Sequence, residues 1–162
     1  MRKILILAFS LAGCGQGGGE RNESNGAATA PAVAPRPVQT ATLTGLYESA
    51  GPRPSQICIT EQGRAARFGL VLWQGQRPGC SGAGAATRDG VTLRLAMDGD
   101  SACVIAARIE GARVTFPAAL PRGCSYYCAP GAQAAGTAFA KTGGTRADAL
   151  RARDIVGDPL CS

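Results

Sequence analysis

Alternation of apolar and polar residues predicts a β-strand meander in the second half of the chain. Between residues 91 and 97 every second residue is Val, Leu or Met, and the residues between them are Thr, Arg and Ala. A period of two is typical of a strand with one buried face. An Asp-Gly pair flanks this segment on each side and favours tight turns, because Gly adopts positive φ without strain. Residues 102–109 and 113–116 repeat the pattern, so we expect three antiparallel strands here.

Weaker forms of the same pattern predict five more strands. Four lie upstream and one lies downstream, at residues 43–48, 56–61, 67–74, 80–87 and 136–141. The segment 80–87 is rich in Gly and Ala, and we assign it as a strand because the turn at Gly90 needs a partner strand. Its small residues would let another backbone or a ligand come close.

Residues 145–156 favour a short C-terminal helix. Thr145 suits the N-cap, Asp148 would complete a capping box three residues later, and Gly157 follows the expected end. Seven or eight short strands with one helix predict an all-β fold class. We expect an antiparallel up-and-down meander that closes into a small barrel, and a sandwich is the alternative.

The first fourteen residues are organised differently. Arg2 and Lys3 precede an apolar run, residues 4–11, which is too short to cross a hydrocarbon core that needs about 20 apolar residues. The run ends in the motif Leu-Ala-Gly-Cys at residues 11–14. This order resembles the signal peptide and lipobox of bacterial lipoproteins. The resemblance implies that the Cys14 thiol is acylated and that signal peptidase II cleaves before Cys14, whose new amino terminus is usually acylated as well.

The resemblance also implies a location. In proteobacterial lipoproteins an Asp directly after the acylated cysteine favours retention in the inner membrane, and this chain has Gly15 there. We therefore expect a lipid anchor in the outer membrane, with the protein facing the periplasm. Two or three acyl chains hold a protein stably, at about 0.8 kcal/mol for each buried methylene. An ordinary secretory signal with an incidental Cys14 is the alternative.

The chain divides into three parts. Residues 1–13 are the expected signal peptide, which is cleaved. Residues 14–42 contain the lipidated cysteine and a Gly- and Pro-rich segment with almost no large apolar side chain. Such a segment buries too little surface to offset the entropy of ordering it, so we expect a disordered tether. Residues 43–162 are enough for one domain.

Six cysteines remain after Cys14, and an even number in an exported chain argues for disulfides. They are Cys58, Cys80, Cys103, Cys124, Cys128 and Cys161. We expect three bridges, because the bacterial periplasm is oxidising. Fifteen pairings are compatible with the sequence, and a bridge between Cys124 and Cys128 would close a short loop. Buried free thiols are the alternative.

Charge and composition argue against several function classes. The chain has 17 basic and 11 acidic residues, and loss of Arg2 and Lys3 with the signal leaves a net charge of +4. The arginines are dispersed and lack the stacking aromatics of a nucleic-acid surface, so we expect no nucleic-acid partner. The chain contains no histidine and no C-x-x-C motif. This removes the usual catalytic triads, the commonest metal ligand and a thioredoxin-like site.

Carboxylates are the remaining route to acid/base chemistry. Asp98 and Asp100 flank Gly99, but two aspartates around a glycine are typical of a turn, and calcium requires more oxygen ligands. We therefore expect no catalytic residues, no metal site and no cofactor, and we do not expect an enzyme.

The densest local cluster is the segment 122–131, which has two cysteines around Tyr126 and Tyr127 and prolines on both sides. Paired tyrosines give a large contact area at low entropic cost and are favoured at interfaces. This segment is a possible contact loop, but both rings could equally fill the core. Three other aromatic residues are expected in the core, namely Phe68, Trp73 and Phe116.

These features favour a non-catalytic binding or structural module of the cell envelope, attached to the membrane through Cys14. Its partner could be an envelope protein, a glycan or a small ligand. The first alternative is a tethered inhibitor of an envelope-attacking hydrolase, a protease or lysozyme. A lysozyme inhibitor would complement a basic enzyme with acidic charge, which this domain lacks. A carboxylate-based hydrolase is the third hypothesis.

Overall fold

Eight antiparallel strands pair in chain order, and the last pairs with the first to close a barrel. The computed structural model describes residues 41–161. The expected signal peptide, Cys14 and nearly all of the expected tether lie outside the described residues. The strands are β1 Gly45–Glu48, β2 Gln56–Gln62, β3 Ala65–Gln74, β4 Arg77–Asp89, β5 Thr92–Met97, β6 Val104–Glu110, β7 Arg113–Thr115 and β8 Ala138–Gly143.

The expected all-β barrel is confirmed, and every expected strand is present. The strict alternation in β5 and β6 places every second side chain inside the barrel. The strand β4 extends beyond the expected residues 80–87 at both ends. Val91 lies in the turn before β5 and is exposed.

The interior of the barrel is packed with apolar side chains. Tyr47, Phe68 and Phe139 are its largest members and are at most 1% exposed. An eight-stranded barrel is just wide enough for side chains to fill it. Small residues of β4 are part of this packing, since a Cβ added at Gly84 would lie 1.9 Å from the Ala96 carbonyl oxygen and 2.9 Å from Phe68 Cε1. The groups that come close to Gly84 are therefore the backbone of the neighbouring strand β5 and the ring of Phe68.

The base of the barrel, where the described chain begins, is held by side chains from three strands. Tyr47 donates its hydroxyl to the Leu43 carbonyl at 2.8 Å, and Lys141 Nζ donates to the Thr42 carbonyl at 2.8 Å. Arg88, near the end of β4, donates to the Ala41 carbonyl at 3.3 Å. Burial, followed by the nearby Glu61 charge, raises the pKa of Tyr47 to about 12, so the hydroxyl stays protonated.

Glu61 at the end of β2 binds the residues just before β1 as well. Its carboxylate accepts hydrogen bonds from the Thr42 hydroxyl, and from the Thr44 amide at 3.0 Å. Desolvation, the largest single influence, raises the pKa of Glu61, but the hydrogen bonds from Thr42, Thr44 and the Leu43 amide together outweigh it. The pKa of Glu61 therefore lies below its ordinary value.

The C-terminal helix is much shorter than expected. Helix α1 spans only Arg146–Ala149, with the expected capping box between Thr145 and Asp148. The expectation for residues 150–156 was wrong, because Asp154 Oδ1 accepts hydrogen bonds from the Val156 and Asp158 amides, both at 2.9 Å. An aspartate that binds amides ahead of it competes with helical hydrogen bonding.

Three disulfides join Cys58 to Cys161, Cys80 to Cys128 and Cys103 to Cys124. The first ties the C-terminal segment to the outside of β2, where Leu46, Cys58, Ala149, Ala152 and Cys161 form a second apolar cluster. The possible bridge between Cys124 and Cys128 is not present. Cys124 is buried in the core, whereas the backbone of Cys128 forms an isolated β-bridge with Cys80 on β4.

We predict that Glu61→Gln lowers the free energy of unfolding by roughly 1 kcal/mol at neutral pH, since a neutral amide accepts weaker hydrogen bonds from Thr42 and Thr44. Folding lowers the pKa of Glu61, so its contribution is complete above its ordinary value of 4.5 and is lost as the pH falls through the folded value. Urea unfolding of both proteins between pH 7 and pH 3 should show the difference shrinking toward zero. A difference that stays constant over this range would contradict the assignment.

Candidate binding surface

One long loop covers the end of the barrel opposite the base, which we call the mouth. The loop joins β7 to β8, and its residues Leu120, Cys124 and Ala134 pack on the core. Two of the three disulfides cross-link it to other parts of the barrel. The strand β4 connects the two ends of the barrel, since Cys80 near its start binds the loop and Arg88 near its end binds the base.

The two tyrosines lie in the 3₁₀ helix Arg122–Tyr127 of this loop, but their environments differ. Tyr126 is 85% exposed, the most exposed large apolar side chain among residues 41–161. Tyr127 is half-buried, packs on the core and donates its hydroxyl to the Asp98 carbonyl at 2.7 Å. The two rings meet edge to face at 5.4 Å. Tyr127 thus supports Tyr126. Tyr126 suits the expected contact role, and Tyr127 suits the expected packing on the core.

Electrostatics keep Tyr127 in its donor form. Desolvation, with the nearby charge of Asp100, raises the pKa of the Tyr127 hydroxyl. The proton that binds the Asp98 carbonyl is therefore retained at neutral pH and above.

Three clefts lie in a row, and Tyr126 lines the middle one. The loop cleft, about 510 Å³, is lined by Leu120, Arg122 and Gln133 among others. The tyrosine cleft, about 520 Å³, lies between both tyrosines and the start of β4. The tryptophan cleft, about 460 Å³, lies between Trp73 and the C-terminal segment. The first two share Ala129 and the last two share Ile155, so the three form one continuous surface, here called the mouth groove.

Trp73 lies on the outside of the barrel, so its expected core position was wrong. Phe68 and Phe116, in contrast, are buried as expected. Residues 68, 70 and 72 point inward along β3, which leaves residue 73 on the opposite face, and a bulge follows Leu72. The Arg53 guanidinium lies 3.3 Å above the centre of the Trp73 ring, a cation–π contact.

Two exposed apolar residues of the mouth groove were not expected from the sequence. Ile155 and Val156 were assigned to a helix, but they are 46% and 77% exposed. The turn formed by Asp154 presents both side chains beside the tryptophan cleft. The combination of Asp154 with Gly157 could have indicated a turn at this point. No local pattern indicates that Arg53 stacks on Trp73.

The mouth groove carries positive charge. Arg53, Arg122 and Arg153 line it and are exposed, and none of them belongs to the ion pairs found in residues 41–161. Asp154 is the one acidic residue among the lining groups, and its carboxylate already binds two backbone amides. The surface therefore combines exposed apolar side chains with arginines that have no carboxylate partner in the described chain.

The two aspartates considered for catalysis have structural contacts. Asp98 forms an ion pair with Arg67, whose hydrogen bond lowers the pKa of the Asp98 carboxyl. Asp100 Oδ1 accepts a hydrogen bond from the Ala102 amide at 2.8 Å within its own turn. Within residues 41–161 no three Cys, Asp or Glu side chains are grouped as metal ligands would be.

Comparison of the chain with protein-family models, with curated proteins and with solved structures finds no match. Between residues 41 and 161 there is no helix with the length and apolar character required to cross a membrane.

We predict that the two tyrosines respond differently to substitution. Tyr126→Ala should change the free energy of unfolding by less than about 0.5 kcal/mol, because the ring is exposed. Tyr127→Phe should lower it by more than Tyr126→Ala does, because the Asp98 carbonyl loses its donor. Thermal unfolding of both variants checks this. A larger loss in Tyr126→Ala than in Tyr127→Phe would show that the exposed ring is the structural one.

Proposed function

We propose that this protein is a non-catalytic binding module of the bacterial envelope, anchored in the outer membrane by lipid on Cys14 and facing the periplasm. The observation that carries the proposal is Tyr126, an exposed aromatic ring on a loop that two disulfides join to the barrel. Aromatic side chains dominate binding energy at interfaces when they become buried. A partner that covers Tyr126 would gain this energy.

Rigidity of the loop supports binding. Ordering flexible side chains and loops on association costs free energy, so a surface that is already ordered binds more tightly. The loop is held by the bridges at Cys124 and Cys128, and Tyr127 fixes the backbone next to Tyr126 through its hydrogen bond. The packed barrel provides the scaffold, since its interior is occupied by apolar side chains.

The position of the proposed anchor also supports this function. The chain before Ala41 joins the barrel at the base, and the mouth groove is at the other end. A disordered tether of the kind that composition predicts for residues 14–40 would span roughly 30 Å on average. The lipid anchor would thus leave the mouth groove free to meet a partner in the periplasm.

We predict that Cys14→Ser abolishes lipidation, because the thiol is the acylation site that the lipobox implies. Metabolic labelling with a palmitate analogue should label the wild-type protein only. The variant should remain as unprocessed precursor or appear in the soluble fraction. Label retained by Cys14→Ser would remove the anchor from the proposal.

Binding at the mouth is tested by photo-crosslinking of the full-length protein in cells. We expect a photoreactive phenylalanine analogue at residue 126 to give discrete adducts with one partner. The matched control is the same analogue at residue 91, because Val91 is also an exposed apolar residue but lies in the turn between β4 and β5, at the base. Equal adducts from both positions, or none from residue 126, would contradict a binding function of this loop.

A further inference from the structure

We propose that the mouth groove binds an extended acidic segment of a partner protein. The inference rests on the proposed binding function and names the chemistry of the partner. Apolar side chains of the segment would contact Tyr126, Ile155 and Val156, and its carboxylates would lie near the arginines at the two ends of the groove.

The arrangement of the clefts in a row, rather than the size of any one of them, favours a chain over a small molecule. Each of the three clefts alone has a volume of about 460 to 520 Å³, within the range of roughly 300 to 1,000 Å³ found for small-ligand sites. The three adjoin in a row through Ala129 and Ile155. A ligand that occupies the whole row must be long, as an extended peptide is.

The order of the groups along the groove matches an apolar segment with acidic ends. Arg122 lines the loop cleft, and Arg53 and Arg153 line the tryptophan cleft. Between them lie the tyrosines and Ile155, which present apolar surface. Arginine binds carboxylates through two parallel hydrogen bonds from its planar guanidinium. Trp, Tyr and Arg are the residue types most enriched at binding hot spots.

Arg53 is already held in position for such a contact. Its guanidinium stacks on Trp73, and one of its amino groups donates to the Gln76 carbonyl at 3.1 Å. Arg153 donates to the Leu150 and Ala152 carbonyls at 2.8 and 3.1 Å. These contacts order the side chains before a partner binds, which lowers the entropy lost on binding.

Two other occupants fit less well. A second copy of the chain in a two-fold contact would bring the same arginines toward each other without acidic groups to balance them. An anionic membrane surface is too broad to enter the three clefts and would contact only their rims. An acidic protein segment has neither difficulty.

The experiment measures binding of the full-length lipoprotein, in neutral detergent micelles, to an array of random twelve-residue peptides. We expect the bound peptides to be enriched in Asp and Glu flanking apolar or aromatic residues. The test variant changes Arg53, Arg122 and Arg153 to Gln. The control variant changes three other exposed arginines outside the groove, Arg64, Arg94 and Arg113, to Gln, so the net charge is equal.

We expect the test variant to lose about tenfold or more in affinity for the best acidic peptides, since three charge contacts are removed. The control variant should lose less than about threefold, and thermal unfolding should show both variants folded. Equal losses in the two variants would overturn the proposal, because net charge alone would then explain binding. Binding to phosphatidylglycerol vesicles without any acidic preference on the array would overturn it in favour of a membrane surface.

Failure of this inference can be separated from failure of the proposed function. If residue 126 crosslinks to a partner in cells but the array shows no acidic preference, the binding function stands and the acidic partner is wrong. If neither residue 126 nor the array shows binding, both are wrong. Tyr126→Ala should weaken peptide binding without changing the preference for acidic residues, because the ring contributes apolar contact only.

Discussion

Pairing of β8 with β1 is the contact on which the rest of this structure depends. It joins Glu48 to Ala140 and Leu46 to Gly143, and so turns a meander into a closed barrel without sheet edges. The closure requires very close approach, since a Cβ added at Gly45 would lie 2.1 Å from the Gly143 carbonyl oxygen. Once the barrel is closed, apolar side chains fill its interior, and any binding has to occur on the outside.

The outer surface is built from segments that do not belong to the strand ladder. The mouth loop and the C-terminal segment each carry cysteines that bind them to the barrel. A disulfide restricts the unfolded chain and typically contributes about 2 to 4 kcal/mol to stability. Here the bridges also order the two segments that form the mouth groove. The same disulfides therefore stabilise the fold and hold the proposed binding surface in place.

The two ends of the barrel are suited to different tasks. At the base, Glu61, Arg88 and Lys141 hold the residues through which the chain enters. At the mouth, Arg53 and Arg122 have no carboxylate partner among the described residues, and Tyr126 is exposed. The residues through which the chain enters are thus bonded to side chains of the barrel, whereas the arginines of the mouth have no carboxylate partner where we propose that the protein binds.

The sequence by itself determined the strands, because a period of two and Gly-containing turns are local signals. The even number of cysteines also predicted three bridges, and the lipoprotein signal stays a prediction. Only the tertiary structure decided the cysteine pairing, the outward position of Trp73 and the exposure of Ile155 and Val156. Alternation shows which residues share a face, but not which face points inward, and a disulfide depends on proximity in space. The mouth groove combines residues 53, 73, 126 and 155, which only the closed barrel brings together.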